Sequence, residues 1–481
     1  MALCRRGAVG TREPRTEVWQ GAVGAALVLL AGCGAAAAPT KAGGGGWTGT
    51  TGAGGAGCTG EASTFLVTGD LAECALACDG GTIWVRSDST ADGGATPAAW
   101  SLRLGAGSDD FVMGLAVAPD GTLLLATHLA VGVDFGGGPV AVPPSCPNFV
   151  SAYAPTGEHR WSRSVSRPIV GLRAMTDGSP LLAFEGGDVA GLAPDGTARW
   201  LRGALSNETQ IAVGGDGFFL QAAPGSASTF NSIEKLSAAG EAGPNLWLPD
   251  AAYPILAASP RGELFFGLAL SGPTMIGDQI VTAPATAQAS FAIGKLDASA
   301  TLIWLKVFGT YGSSALAALV PSADGSLVLQ VGTSGIIDFG GGPLDAAGIW
   351  TSMLARLDGD GGYLAATAGV PEVGYVAAEL PSGELAVADN FSGSVDLGGS
   401  TVHTGALNDQ DFLVAEVSSA FALERYWHFG NGGGDQRIDA LATDPGGGLV
   451  MAGSFQGKLD LGSGVLRSAG GYDVFLARMQ P

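Results

Sequence analysis

The chain has 481 residues, of which 46% are hydrophobic and only 14% charged, and 80 are glycine. This balance excludes a disordered chain for most of the length and suits many short strands joined by glycine turns. The net charge of -21 comes without any cluster of Lys and Arg, which excludes nucleic acid as a partner, because grouped cations are needed to displace counterions from phosphates.

Arg5, Arg6, Arg12 and Arg15 precede a short apolar run from Gly21 to Ala31. Around ten apolar residues cannot cross a hydrocarbon layer about 30 Å thick as a helix, which needs about 20. The run therefore reads as a secretory signal over residues 1–32. The phrase Leu30-Ala31-Gly32-Cys33 resembles the lipobox of bacterial lipoproteins. That resemblance implies cleavage before Cys33, lipid on its thiol and a membrane contact through that lipid. Gly34 after the cysteine implies export to the outer membrane or cell surface. Residues 33–60, rich in Gly, Ala and Thr without periodicity, read as a flexible tether. The folded body is expected over residues 61–481.

Cys58, Cys74, Cys78 and Cys146 remain. An even number in an exported protein permits two structural disulfides, with all three pairings open. The Cys74–Cys78 spacing has no second ligand pair to make a zinc site, and no metal or other cofactor is expected.

Seven phrases then repeat one pattern, among them "APDGTLLLA" from Ala118, "SADGSLVLQ" from Ser322 and "DPGGGLVMAG" from Asp444. Each is an apolar run, a Gly-bearing turn and a second apolar run, which is a hairpin signature. A third strand follows in every unit, as in "SMLARLDGDG" and "VFLARMQP". An aromatic then opens a fourth strand: Trp161, Trp200, Trp247, Trp304, Tyr363 and Trp427, with Trp100 in the same place ahead of the first hairpin. A four-stranded sheet of that size cannot bury both faces alone, so the expected fold is an all-β propeller with its sheets arranged radially. Seven blades are expected, with eight as the alternative if "ECALACDGGTIWVRSDS" in residues 61–98 adds a degenerate hairpin. The last unit stops after its third strand, so the strand near Trp100 is expected to complete that blade and close the ring.

"VDFGGGPV" from Val133 and "IDFGGGPL" from Ile337 return in weaker form from Val395 and Leu459. They are expected between the second and third strands, where glycine tolerates positive φ and close backbone approach. The pattern from apolar hairpin through "DFGGGP" and "SAGGYDVFLARM" resembles the SBBP β-propeller repeats of bacterial surface proteins, over roughly Glu61 to Pro481. The second and third units lack the glycine triplet. The resemblance implies a propeller and an extracellular setting, with no catalytic residues. "LDASATLIWLKVFG" and "APDGTARWLRG" also resemble the tryptophan-docking repeats of quinoprotein dehydrogenases and of the propeller lipoproteins that assist outer-membrane barrel assembly. This likeness implies that the aromatics lock adjacent blades.

His128, His159, His403 and His428 are scattered, without a nucleophile elbow or a zincin motif. Asp358 and Asp360 in "LDGDGGY" lack the later acidic ligand of a calcium loop and read as turn residues. The segments that lead into each first strand are expected on one rim, where Asp109, Asp110, Glu208, Asp250, Tyr311, Glu372, Asp435 and Arg437 are candidates for a binding mouth. The leading expectation is a monomeric, non-catalytic surface lipoprotein that binds a protein or glycan or serves a structural role. The alternative is a quinoprotein-like or polysaccharide-active propeller enzyme.

Overall fold

A computed structural model describes residues 98–479 except 130–132, 136–138, 141–146, 204–209, 216, 223–230, 249–253, 260, 349, 371–375, 398–400, 405–408 and 431–432, and also the pair Glu73–Cys74. Every regular element among the described residues is a strand. From inner to outer, blade 1 is Phe111–Val117, Leu123–His128, Asn148–Tyr153 and His159–Val165. Blade 4 is Ile255–Ala258, Leu264–Ala269, Ala289–Leu296 and Leu302–Thr310, and blade 6 is Val376–Glu379, Leu385–Ser392, Gln410–Val417 and Leu423–Phe429. Blades 2, 3 and 5 begin at Ile169, Ile211 and Ser314 and repeat this antiparallel order. Blade 7 takes three strands from the C-terminal end, Gln436–Thr443, Leu449–Phe455 and Asp473–Met479, and its outer strand, Ala98–Leu104, from the beginning of the described body. The inner strands touch one another in sequence around the axis, and the strand at Phe111 meets that at Gln436, so seven blades close one ring.

The second strand of a blade lies between two neighbouring blades, so it must be apolar on both faces, and its side chains alternate between two cores. Leu123 and Leu125 pack with Val450 and Leu476 of blade 7, while Leu124 and Ala126 pack with Leu172 and Leu182 of blade 2. The same division gives one buried cluster at each of the seven junctions. Each sheet is thus stabilised mainly by its neighbours. Residues 61–98 add no eighth blade among the described residues. Glu73–Cys74 instead pairs with Ser164 and Val165 as a fifth strand on blade 1.

The glycine-rich phrase does lie between second and third strands. In blade 5, Ile336–Asp338 and Pro343–Asp345 form a small hairpin that also pairs with blade 4 through Ile337 and Thr310. Asp338 Oδ1 accepts from the N–H groups of Gly340 and Gly342, at 2.7 and 3.0 Å, both at positive φ. Gly341 lies so close to the Tyr363 ring that an added Cβ would overlap it. Blade 4 has the equivalent hairpin, Thr274–Ile276 with Gln279–Val281, without the phrase.

Among the described residues, four tryptophans lock blades together. Trp100, Trp161, Trp200 and Trp304 donate from Nε1 to Pro155, Pro194, Ala238 and Gly359 carbonyls, at 3.0, 2.8, 3.0 and 2.9 Å, in the outer turn of the next blade. That turn presents a glycine to the indole. At Gly196, with φ of 81°, an added Cβ would come within 2.7 Å of the Trp161 ring. The same turn position is Ala300 in blade 4 and Phe421 in blade 6, both at positive φ, and no tryptophan docks on either.

The expectation of a fixed aromatic place in every unit is therefore corrected at three blades. The docking residue faces the next-to-last residue of the third strand, as Trp304 faces Lys295 and Trp161 faces Ala152. Trp247 faces Ser232, Tyr363 faces Leu357 and Trp427 faces Val414. Each is displaced along its strand, so its side chain emerges at the wrong height to meet the turn. Trp247 is left 50% exposed, Tyr363 supports its own blade's glycine hairpin, and Phe421 packs in the cluster that includes Ala365, at the docking place of blade 5.

Candidate functional site

Among the described residues, the connections from outer strands to the next inner strands share one face with the hairpins between second and third strands. On this face, at the seam where the ring closes, the structure brings together four of the proposed rim residues. Asp109 and Asp110 come from the connection into blade 1, and Asp435 and Arg437 from the start of blade 7. Tyr472, just before the third strand of blade 7, binds both sides. Its N–H donates to Asp109 Oδ1 at 3.0 Å, its carbonyl accepts from Asp110 N–H at 2.7 Å, and its hydroxyl donates to Asp435 Oδ2 at 2.5 Å. Asp435 Oδ1 also accepts from the Gln410 N–H of blade 6 at 3.1 Å. Phe111 packs against the Tyr472 ring, with centroids 5.9 Å apart.

These carboxylates are thus engaged in holding blades 6, 7 and 1 together. Asp110 is fully buried, with Oδ2 accepting from Ala106 N–H at 3.0 Å, so it lines no mouth. Tyr311 lies elsewhere, at the seam of blades 4 and 5. It is exposed, its hydroxyl 2.9 Å from Thr286 Oγ1. Glu208, Asp250 and Glu372 lie outside the described residues, as do Cys33, Cys58, Cys78 and Cys146; Cys74 is placed only as strand backbone. No helix among the described residues is long and apolar enough to cross a membrane.

Partial burial pushes the Tyr472 hydroxyl up to about 12, and the adjacent Asp435 carboxylate adds to the effect. A raised pKa means that the folded state holds its proton where the unfolded tyrosine, at about 10, has lost it. The contribution is complete below pH 10 and disappears as pH rises through about 12. Tyr472→Phe should lower stability by about 1 kcal/mol at neutral pH, the scale of one partly exposed hydrogen bond. Ultraviolet titration should show one late-ionising tyrosine fewer in this variant than in the wild type, the buried Tyr153, pushed up by desolvation, remaining late in both.

Sequence reading missed Tyr472 and the aspartate after it. Asp473 is buried and accepts from Arg103 Nη1 at 2.6 Å, and Asp411 at the same place in blade 6 lies 2.8 Å from His428 Nε2. The signal available was the aspartate that opens the third strand in both "YDVFLA" and "QDFLVA". It also missed a serine beside a histidine: Ser162 Oγ lies 2.8 Å from His159 Nε2 and 2.8 Å from Ser151 Oγ. All three residues are buried within blade 1. Their arrangement satisfies polar groups inside a sheet. Among the described residues, no three His, Cys, Asp or Glu side chains form a metal-ligand group.

The opposite face carries the turns within hairpins. Lys295–Glu263, at 2.8 Å, and Glu416–Arg425, at 2.5 Å, are ion pairs there, and Arg478 pairs with Asp444. Burial pushes the Asp444 carboxyl up, but hydrogen bonds from Arg478 and from Gly448 and Gly446 N–H outweigh it and hold the group below the usual carboxylate range.

Fold and seam define a seven-bladed β-propeller closed by the strand Ala98–Leu104. No protein-family model and no curated protein matches the chain. Among solved structures, the Dos1 propeller is 11% identical with a TM-score of 0.44, covering 79% of this chain and 94% of that one. BamB from Moraxella catarrhalis is 13% identical with a TM-score of 0.35, covering 80% and 99%. An apocarotenoid oxygenase mutant from Synechocystis is 11% identical with a TM-score of 0.37, covering 79% and 93%.

Proposed function

We propose that the chain is an exported lipoprotein whose propeller serves as a non-catalytic binding or structural module, held at the outer membrane or cell surface by lipid on Cys33. The observation that carries this reading is the closure of the ring by Ala98–Leu104, which makes a self-contained body whose ring begins at an outer strand. Residues 33–60 have the composition of a random-coil tether, and a chain of that length spans roughly 30 Å. The resemblance of the repeats to SBBP-type surface propellers supports the same setting, with a protein or glycan as partner.

The test uses the full chain expressed in a Gram-negative host. Radiolabelled palmitate should be incorporated into the wild type, which should fractionate with membranes and be captured with cross-linked surface partners from intact cells. Cys33→Ser should lose the label and shift to the soluble fraction. Equal labelling of both forms, or a wild type retained in the cytoplasm, would overturn the assignment.

A further inference from the structure

One junction lacks the tryptophan lock for a structural reason. At the blade 6–7 junction, a tryptophan on blade 6 would have to dock on a turn between the third and outer strands of blade 7. No such turn exists, because those strands, Asp473–Met479 and Ala98–Leu104, come from opposite ends of the described body. Arg425 holds the docking place, facing Glu416, and Trp427 is displaced two residues along the strand. A cleft of about 330 Å³ remains.

Its apolar walls are Leu380, Pro381, Leu449, Met479 and Trp427. Arg425 stacks over the Trp427 ring at 4.9 Å and spends Nε and Nη2 on the two oxygens of Glu416, at 2.5 and 2.9 Å. Glu384 lies on the wall, oriented by Ser382 Oγ at 3.1 Å, and Glu424 is exposed beside Arg425. Slight desolvation, then Glu384 through both its charge and a hydrogen bond, and then Glu416 push the exposed Glu424 carboxyl up, against the pull of Arg425. Among the described residues, Arg425 thus serves the three carboxylates of Glu384, Glu416 and Glu424 around an apolar floor, the neighbouring Arg478 being paired with Asp444.

We propose that this cleft receives a peptide segment of a partner protein in which an apolar side chain is followed by lysine or arginine. The apolar group occupies the volume that a blade turn fills at docked junctions, and the cation lies against the adjacent carboxyls of Glu384 and Glu424, where charge is unbalanced. This deepens the binding-module reading above and rests on it.

The test measures fluorescence anisotropy of the labelled peptide Gly-Leu-Lys-Gly-Leu-Lys-Gly, and of its counterpart with glutamate for lysine, against the full-length protein at physiological salt. The lysine peptide should bind and the glutamate peptide should not. Glu384→Gln with Glu424→Gln should weaken binding at least tenfold with the melting temperature unchanged. The control pair Glu185→Gln with Asp278→Asn, exposed on other blades, removes the same charge and should leave binding intact. The proposal is overturned by equal binding of both peptides, by no binding, by an unaffected Glu384/Glu424 variant, or by equal weakening in the control, which would mark general attraction to an acidic protein. If surface partners are still captured from cells by the Glu384/Glu424 variant, the module reading stands and the cleft assignment fails.

Discussion

A chain that begins at residue 106 should fail to form a stable ring. It loses Ala98–Leu104, which pairs along Asp473–Met479 and brings Leu104 into the blade 7–1 core, with Trp100 and Leu102 packed beside it. Burial of these side chains is worth on the order of 5 kcal/mol, comparable to the whole net stability of an ordinary domain. The same deletion removes the Trp100 hydrogen bond to Pro155 and the Arg103 partner of buried Asp473, leaving that carboxylate without a cation and held by the Ala469 N–H. Circular dichroism should show a broad, early melt, and size exclusion should show aggregates through the uncovered edge of Asp473–Met479. A synthetic peptide of residues 97–105 added in trans should restore the cooperative transition. A truncated chain that melts like the wild type would contradict closure by this strand.

Trp161→Ala and Trp247→Ala should differ sharply, although both remove a tryptophan from an outer strand. Trp161 is 7% exposed, packs in the blade 1–2 core and donates to Pro194 O. Its truncation should cost about 3–5 kcal/mol through a cavity and a lost hydrogen bond. Trp247 is half exposed and out of docking register, so its truncation should cost under about 1 kcal/mol. Urea denaturation of the two variants, with equal slopes, measures the difference directly. Gly196→Ala should resemble Trp161→Ala in direction, because its Cβ would press on the same indole from a positive-φ position. Equal losses at Trp161 and Trp247 would rule out the register argument.

The strand count was legible because each unit states it locally: apolar run, glycine turn, apolar run. Leu123–His128 and Leu327–Thr333 are apolar almost throughout, as strands buried on both faces must be. Closure was legible too, since the last unit lacked a fourth strand and the strand near Trp100 lacked a unit. The rim was not legible. Asp109 and Tyr472 are 363 positions apart, and whether a loop carboxylate faces solvent or caps a neighbour depends on which blade the ring brings beside it. The glycine hairpin of blade 4 was missed because "TMIGDQIV" turns on two residues and needs no triplet.

The sequence by itself determined the blade unit and how the ring closes, because hydrophobic runs and turn residues act over a few positions, while the choice between seven and eight units waited on the pairing of Glu73–Cys74 with blade 1. Only the tertiary structure decided which aromatics dock, which acids bind the seam and where a cleft stays open. Those outcomes depend on the height at which a side chain leaves one sheet and on what the next sheet presents there. At the last junction the chain break removes the receiving turn, and Arg425 stands where the other docked blades have tryptophan.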